Sequence, residues 1–204
     1  MAEKMYTVIG DLVASRDVPD RASVQGAVNE SLDAVNRHLA PAQLFEPTIG
    51  DEFQGACGTL ADAVLAALVV RLMLLPVVDS RCGIGFGEFA VHDASRRPLL
   101  QDGPGWWAAR EAIVALGRGK PLRRTWYVGH DSSTVNAFLI CRDQIVERLN
   151  DRGARMLTLA LLGHSQKDIA QSEAVWPSAV SQQFARGVGA VMDAQALFAR
   201  RKEL

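Results

Sequence analysis

The chain has 204 residues, 49% of them hydrophobic and 22% charged, with a formal net charge of -1. That length and apolar fraction give a soluble globular chain with a real core, arranged as one large domain or as a medium domain followed by a small one. The near-zero charge excludes bulk attraction to nucleic acid, so any such role must rest on a local motif.

Cys57, Cys82 and Cys141 are widely separated, at neither metal-ligand nor redox spacing, and read as reduced thiols. Glu3 and Lys4 precede a short apolar run without a long hydrophobic core, which is not a signal peptide. The most hydrophobic stretch, Ala61 to Val78, carries Asp62 and Arg71 and meets Pro76, so it is too charged and too short for a membrane span. A cytoplasmic location is expected.

Met5 to Gly10 fits a buried strand that stops at Asp11. Val24, Val28, Leu32, Val35 and Leu39 then recur at three- and four-residue intervals, predicting an amphipathic helix over residues 20–39 with Asp20 as N-cap. Leu44 to Ile49 and Phe53 to Cys57 flank Gly50-Asp51-Glu52, a hairpin signal. Leu60, Val64, Leu68, Leu72 and Leu75 mark a second helix, covered on more than one side because it has so few polar residues. Arg81 to Phe89 reads as a further strand.

The order strand, helix, strand, strand, helix, strand is the ferredoxin-like split pattern. A polar loop over His92 to Gln101, a helix from about Gly105 to Leu116, a strand from Arg124 to Val128 and a helix from about Ser132 to Asn150 extend it. Residues 153–198 contain no strand-like run. Met156 to Leu162, Gln166 to Gln171 and Ser178 to Val191 predict three helices with a tight second connection, the outline of a helix-turn-helix module. The expected division is therefore 1–152 and 153–204, an α+β domain followed by an all-α one.

Two strand ends carry chemistry. Ile9-Gly10-Asp11 and Ile49-Gly50-Asp51 can bring two carboxylates together, and Mg²⁺ binds through one or two carboxylates plus substrate phosphates. Gly-Asp is also a common turn dipeptide, so each instance alone reads equally as a turn. Around a divalent cation held by Asp11 and Asp51, the backbone at Leu12 and the side chains of Ser15 and Arg16 can meet phosphate. Glu52 is either an additional ligand or an exposed turn residue, and the second reading is favoured. Gly83, Gly85 and Gly87 alternate, leaving one strand face nearly bare for the close approach of a helix. Arg110 can contact phosphate or pair with Asp102 or Glu111. Trp106 and Trp107 cannot face the same way, so one belongs to the core.

In the C-terminal part, Ser165 is the expected N-cap of the supporting helix, and Ser178, Ser181, Gln182 and Arg186 would line the exposed face of the next. These residue types bond phosphates and base edges of double-stranded DNA; a three-helix cap is the competing reading. Trp176 is either core or a dimer contact.

Together these motifs resemble the catalytic domain of class III nucleotidyl cyclases. Asp11-Leu12-Val13, Ile49-Gly50-Asp51, Arg81 to Gly87 and Gly103 to Arg110 carry the resemblance, and Gly50-Asp51-Glu52-Phe53 is similar to diguanylate cyclase palms. More closely, Gly50 to Gly55, Gly83 to Glu88, the segment Asp102 to Arg110 and the C-terminal helices resemble the SatD family over essentially the whole chain. The cyclase resemblance implies Asp11 and Asp51 as ligands of Mg²⁺ or Mn²⁺, Arg110 as a phosphate or transition-state contact and a purine nucleotide as ligand; a homodimer is expected if the helix-turn-helix reads an operator. One departure counts against turnover: the helix Asn that cyclases place one turn before their Arg is Trp106 here. The reading is a nucleotide-sensing, DNA-binding regulator. The alternatives are an active nucleotidyl cyclase or nucleotidyltransferase using Asp11, Asp51 and Arg110, and a degenerate palm acting as a dimerisation scaffold.

Overall fold

The computed structural model describes residues 4–15, 18–117 and 123–201. Contacts divide the chain into two compact units, Met1–Ile140 and Cys141–Leu204.

In the first unit, β1 (Lys4–Val13) is followed by α1 (Arg21–Leu39), β2 (Gln43–Pro47), β3 (Glu52–Cys57), α2 (Leu60–Leu74) and β4 (Asp79–Glu88). Then come β5 (Ala90–Asp93), β6 (Leu100–Asp102), α3 (Pro104–Leu116), β7 (Thr125–Val128) and the first part of α4 (Ser132–Glu147), which continues past the unit boundary at Cys141. The main sheet has the order β2-β3-β1-β4-β7. Each of its first four strands runs antiparallel to its neighbours among them, and β7 joins parallel to β4. That order and direction are the ferredoxin-like split arrangement with one added strand.

Local sequence explains these elements. The Asp20 carboxylate accepts from the Ser23 amide at 3.0 Å and starts α1, whose Val24, Val28, Leu32 and Val35 are buried as the spacing predicts. The chain leaves α1 through Ala40, in the left-handed region at φ 44°, just before Pro41. Thr59 caps α2, which is buried almost all round. The alternate glycines of β4 do what the sequence implies: a Cβ at Gly83 or Gly85 would overlap the backbone of α3. The helix therefore lies directly on bare strand.

Polar groups fasten the frame. Asn36 of α1 accepts from the Phe45 amide at 2.8 Å and donates to its carbonyl at 2.9 Å. Asn136 of α4 does the same for Tyr127, with both bonds at 2.8 Å. Asp79 is shared by Arg71 Nε at 2.8 Å and Arg124 Nε at 2.5 Å. Burial opposes its charge, but the two arginines outweigh that penalty and hold the carboxyl below its usual 3.8.

Two expectations need correction here. The segment expected as a polar loop contains the β5–β6 pair, which is short and largely exposed and so lacks the apolar alternation that marks a strand. Glu52 is no free turn residue, because it opens β3 and pairs with Arg110.

The second unit holds α5 (Asp151–Leu161), α6 (Gln166–Ser172), α7 (Pro177–Gln183), a kinked segment (Phe184–Val188) and α8 (Gly189–Ala199). Met156, Ala160, Ile169, Ala170 and Val180 form its core. Gly153 lies inside α5: its amide donates to the side chain of Asn150, the N-cap, at 2.8 Å. Ser165 and Asp168 form a reciprocal capping box at the start of α6. The single helix expected over Ser178 to Val191 is broken, because Gly187 sits at φ 137°, where an L side chain would be strained. Glu173 receives Arg155 at 2.7 and 2.9 Å, tying the α6–α7 turn to α5, while Trp176 is 82% exposed and so is not core. Among the described residues no helix is long and apolar enough to cross a membrane.

Candidate functional site

The site begins where β1 ends. Alternation along β1 turns Thr7, Ile9 and Asp11 toward α3, since the Thr7 hydroxyl donates to the Gly105 carbonyl at 2.8 Å and Ile9 packs on Trp106, Ala109 and Ile113. Asp11 stands opposite Glu52 on β3 and opposite Arg81 on β4. Directly opposed residues share a face, so two carboxylates and one guanidinium lie side by side across three strands.

Each acid has a cation. Arg81 donates to one Asp11 oxygen from Nη2 at 2.5 Å and from Nε at 3.0 Å. Arg110, from α3, meets Glu52 with both forks, Nη1 to Oε1 at 2.7 Å and Nη2 to Oε2 at 2.9 Å. The Glu52 hydrogen bonds, the Glu52 charge and the charge of Asp11 raise the Arg110 pKa, with partial burial opposing them. The four charges cancel.

The hairpin brings Asp51 to this strand end. The Thr48 amide donates to the Glu52 carbonyl at 2.8 Å to close the turn, and Gly50 supplies the positive φ, 77°, that the turn requires. The Leu12 amide donates to the Asp51 carbonyl at 3.2 Å, locking the hairpin to β1. The buried Ser15 hydroxyl donates to the Asp51 carboxylate. A cavity of about 170 Å³ opens beside this point. Its polar wall is Ser15, Arg21, Gln25, Asp51 and Glu52, and Leu12, Val24 and Val28 are its apolar part.

The structure thus brings Asp11, Leu12, Ser15, Asp51 and Arg110 together at one end of the sheet. Arg16 lies outside the described residues. The carboxylates are hard oxygen donors suited to Mg²⁺ or Mn²⁺ with phosphate completing the shell. Among the described residues no group of three His, Cys, Asp or Glu side chains is assembled as a metal cage, so a cation here would depend on its ligand's oxygens. Arg110 takes neither partner expected from the sequence, Asp102 or Glu111. Trp106 is the core member of the tryptophan pair, and Trp107 is 61% exposed with its indole N–H on Asp102 at 2.6 Å.

Sequence reasoning missed the roles of Glu52, Arg81 and Arg21. The first two are visible only once the strand register is known, because neither neighbours Asp11 in sequence. Arg21 reaches the cavity from the first residue of α1.

In the second unit Ser178, Ser181 and Gln182 are exposed on α7 at positions i, i+3 and i+4, and Arg186 is exposed in the kinked segment that follows. Val180 points the other way, into the core.

Residues 5–121 match the SatD family. No curated protein matches the chain. Among solved structures, a bacterial light-regulated adenylyl cyclase is similar at 15% identity and TM-score 0.47, covering 62% of this chain and 43% of that one. The catalytic core of a rhodopsin-guanylyl cyclase with converted specificity, in complex with ATPαS, gives 17% identity and TM-score 0.44 over 54% of this chain and 71% of that one. The adenylyl cyclase CyaB from P. aeruginosa gives 12% identity and TM-score 0.42 over 56% and 73%. The chain therefore spans less than half the length of the light-regulated cyclase.

Proposed function

The chain belongs to the SatD family, and on that premise we propose that it is a nucleotide-sensing regulator whose first 152 residues bind a purine nucleotide and whose residues 153–204 bind double-stranded DNA. The observation that supports the first half is a cavity at the end of β1 walled by Asp51 and Glu52, with the Leu12 amide on the Asp51 carbonyl, the Ser15 hydroxyl on the Asp51 carboxylate, and Asp11 next in the chain to Leu12. Asp11 and Asp51 hold a divalent cation, Mg²⁺ or Mn²⁺, which when bound neutralises phosphate charge. Ser15 orients the Asp51 carboxylate. Arg21 and Arg110 supply cationic partners for phosphate oxygens, and Arg81 holds the Asp11 carboxylate in place through its Nε and Nη2 donors.

Binding without turnover is favoured by one residue. Trp106 is buried against Ile9, Ala109 and Ile113, so that turn of α3 offers an apolar indole rather than a carboxamide to developing charge. Loss of one such transition-state donor costs roughly 10²–10³ in rate. Conversion of a nucleoside triphosphate by this site is the second reading, and product formation would establish it.

The exposed row of Ser178, Ser181, Gln182 and Arg186 supports the DNA half. The short α6–α7 connection, with Ala174 in the left-handed region at φ 51°, is the kind of turn a helix-turn-helix needs. A single copy reads one half-site, so the acting species is a homodimer. Nucleotide and DNA binding are coupled by differential affinity for two conformations, and that coupling is reciprocal.

The test is calorimetric titration with ATP and GTP in Mg²⁺ and Mn²⁺, followed by analysis of the mixture for cyclic or oligomeric products. Binding without product, lost in Asp11→Asn and Asp51→Asn, is expected. Absence of binding by the folded protein overturns the nucleotide half, and nucleotide-independent DNA affinity overturns the coupling.

A further inference from the structure

We propose that Glu52 is an internal stand-in for phosphate, a latch on Arg110 that an incoming polyphosphate must displace; this rests on the nucleotide-site reading above. A guanidinium recognises carboxylate and phosphate through the same two parallel N–H donors. Glu52 already satisfies both, at 2.7 and 2.9 Å. Glu52 is also part of the cavity wall and Arg110 is not, so the carboxylate links the two.

The pair is built to open. Its side chains are 50% and 33% exposed, which places it among ion pairs worth little in net stability. What keeps it closed without ligand is the neighbour on β1. Glu52 stands directly opposite Asp11, and like charges so placed repel, so each acid needs its own arginine. An anion that captures Arg110 leaves Glu52 and Asp11 facing each other with only Arg81, on the far side of Asp11, to offset them. The site then gains negative potential where the reading above places a divalent cation, so anion and cation uptake reinforce one another. Glu52 thereby sets both the strength of anion binding and its dependence on the cation.

The probe is inorganic triphosphate with excess magnesium, titrated calorimetrically into the full chain, each variant's fold being checked by circular dichroism. Glu52→Gln frees Arg110 and removes a charge, whereas Glu52→Asp keeps the charge but is too short to hold the fork. Both are expected to bind about three- to fivefold more tightly than the parent, equivalent to about 0.6–1 kcal/mol. In an Arg110→Gln background the gain should fall below about twofold, since only the general charge effect is left. Unchanged or weaker binding by both Glu52 variants, or a gain that persists without Arg110, overturns the latch. If the parent still binds and Asp51→Asn does not, the nucleotide site survives that result. No binding by the parent or by any variant overturns both.

Discussion

Replacing Gly85 by Ala tests whether the packing of α3 on β4 fixes the site. A Cβ at this position would overlap the Ala109 amide and the Gly105 carbonyl, and would lie 2.8 Å from the Ala108 carbonyl carbon. All three are backbone atoms of one helix, so no side chain can rotate aside. Overpacking of this kind typically costs 1–3 kcal/mol, and the rigidity of the obstacle points to the upper end, about 3 kcal/mol. For a domain of this size that lowers the melting temperature by about 6–12 °C. The control is Gly26→Ala on α1, where nothing lies within 4 Å of the new Cβ and where replacing a helical glycine should instead stabilise by about 0.5–1 kcal/mol. The two methyl groups thus have opposite signs in thermal and urea melts. Arg110 follows Ala109 on the displaced helix, so Gly85→Ala should also weaken ATP binding. A Gly85→Ala protein that melts within about 2 °C of the parent refutes the direct helix-on-strand contact, and with it the account of how Arg110 is positioned.

Asp79→Asn removes the shared counter-charge of Arg71 and Arg124, the first of which has only 3% of its side chain exposed, and should cost about 3 kcal/mol in urea denaturation. Because the folded Asp79 carboxyl is held below its usual 3.8, its stabilisation is full above that value and is lost as pH falls through the lower folded pKa; the acid limb of the stability profile should flatten in Asp79→Asn. Burial, reinforced by the charge of Asp62, pushes the Cys57 thiol up to about 12, and Cys82 is buried too, so a thiol reagent at pH 8 should label exposed Cys141 and spare both; rapid labelling of Cys57 in the folded protein would contradict its burial. Gln182→Ala and Arg186→Ala should each weaken DNA binding, with Arg186→Ala also lowering the salt slope by about 1 if it meets a phosphate; unchanged affinity of both at low salt removes the DNA assignment.

Most of the frame was legible because its elements carry periodic signals. The α1 stripe, the Asp20 and Ser165 caps and the bare glycine face of β4 follow from local sequence rules. The ion pairs were not legible, since they depend on register. Asp11, Glu52 and Arg81 are far apart in sequence and become neighbours only when β3 and β4 flank β1 with this alignment. Breaks in the C-terminal helices were hidden for another reason. Gly153 and Gly187 both look like interruptions, yet one sits at a helix start where its amide is capped, and the other kinks the chain. Composition cannot separate those uses of glycine. The β5–β6 arm escaped notice because its backbone pairing is not accompanied by burial.

The paired amide bonds made by Asn36 and Asn136 bear on how copies of this chain can associate. β2 and β7 are the outer strands of the sheet, and on each of them one residue, Phe45 or Tyr127, has both its backbone donor and its backbone acceptor taken by an asparagine from a helix. An outer strand normally offers such groups as a template on which another chain can continue the ladder. Here a molecule adding at either edge must first evict a carboxamide that satisfies both groups at once. The sheet is thus stoppered at its two margins, and assembly is directed to side-chain surfaces rather than to open-ended strand addition.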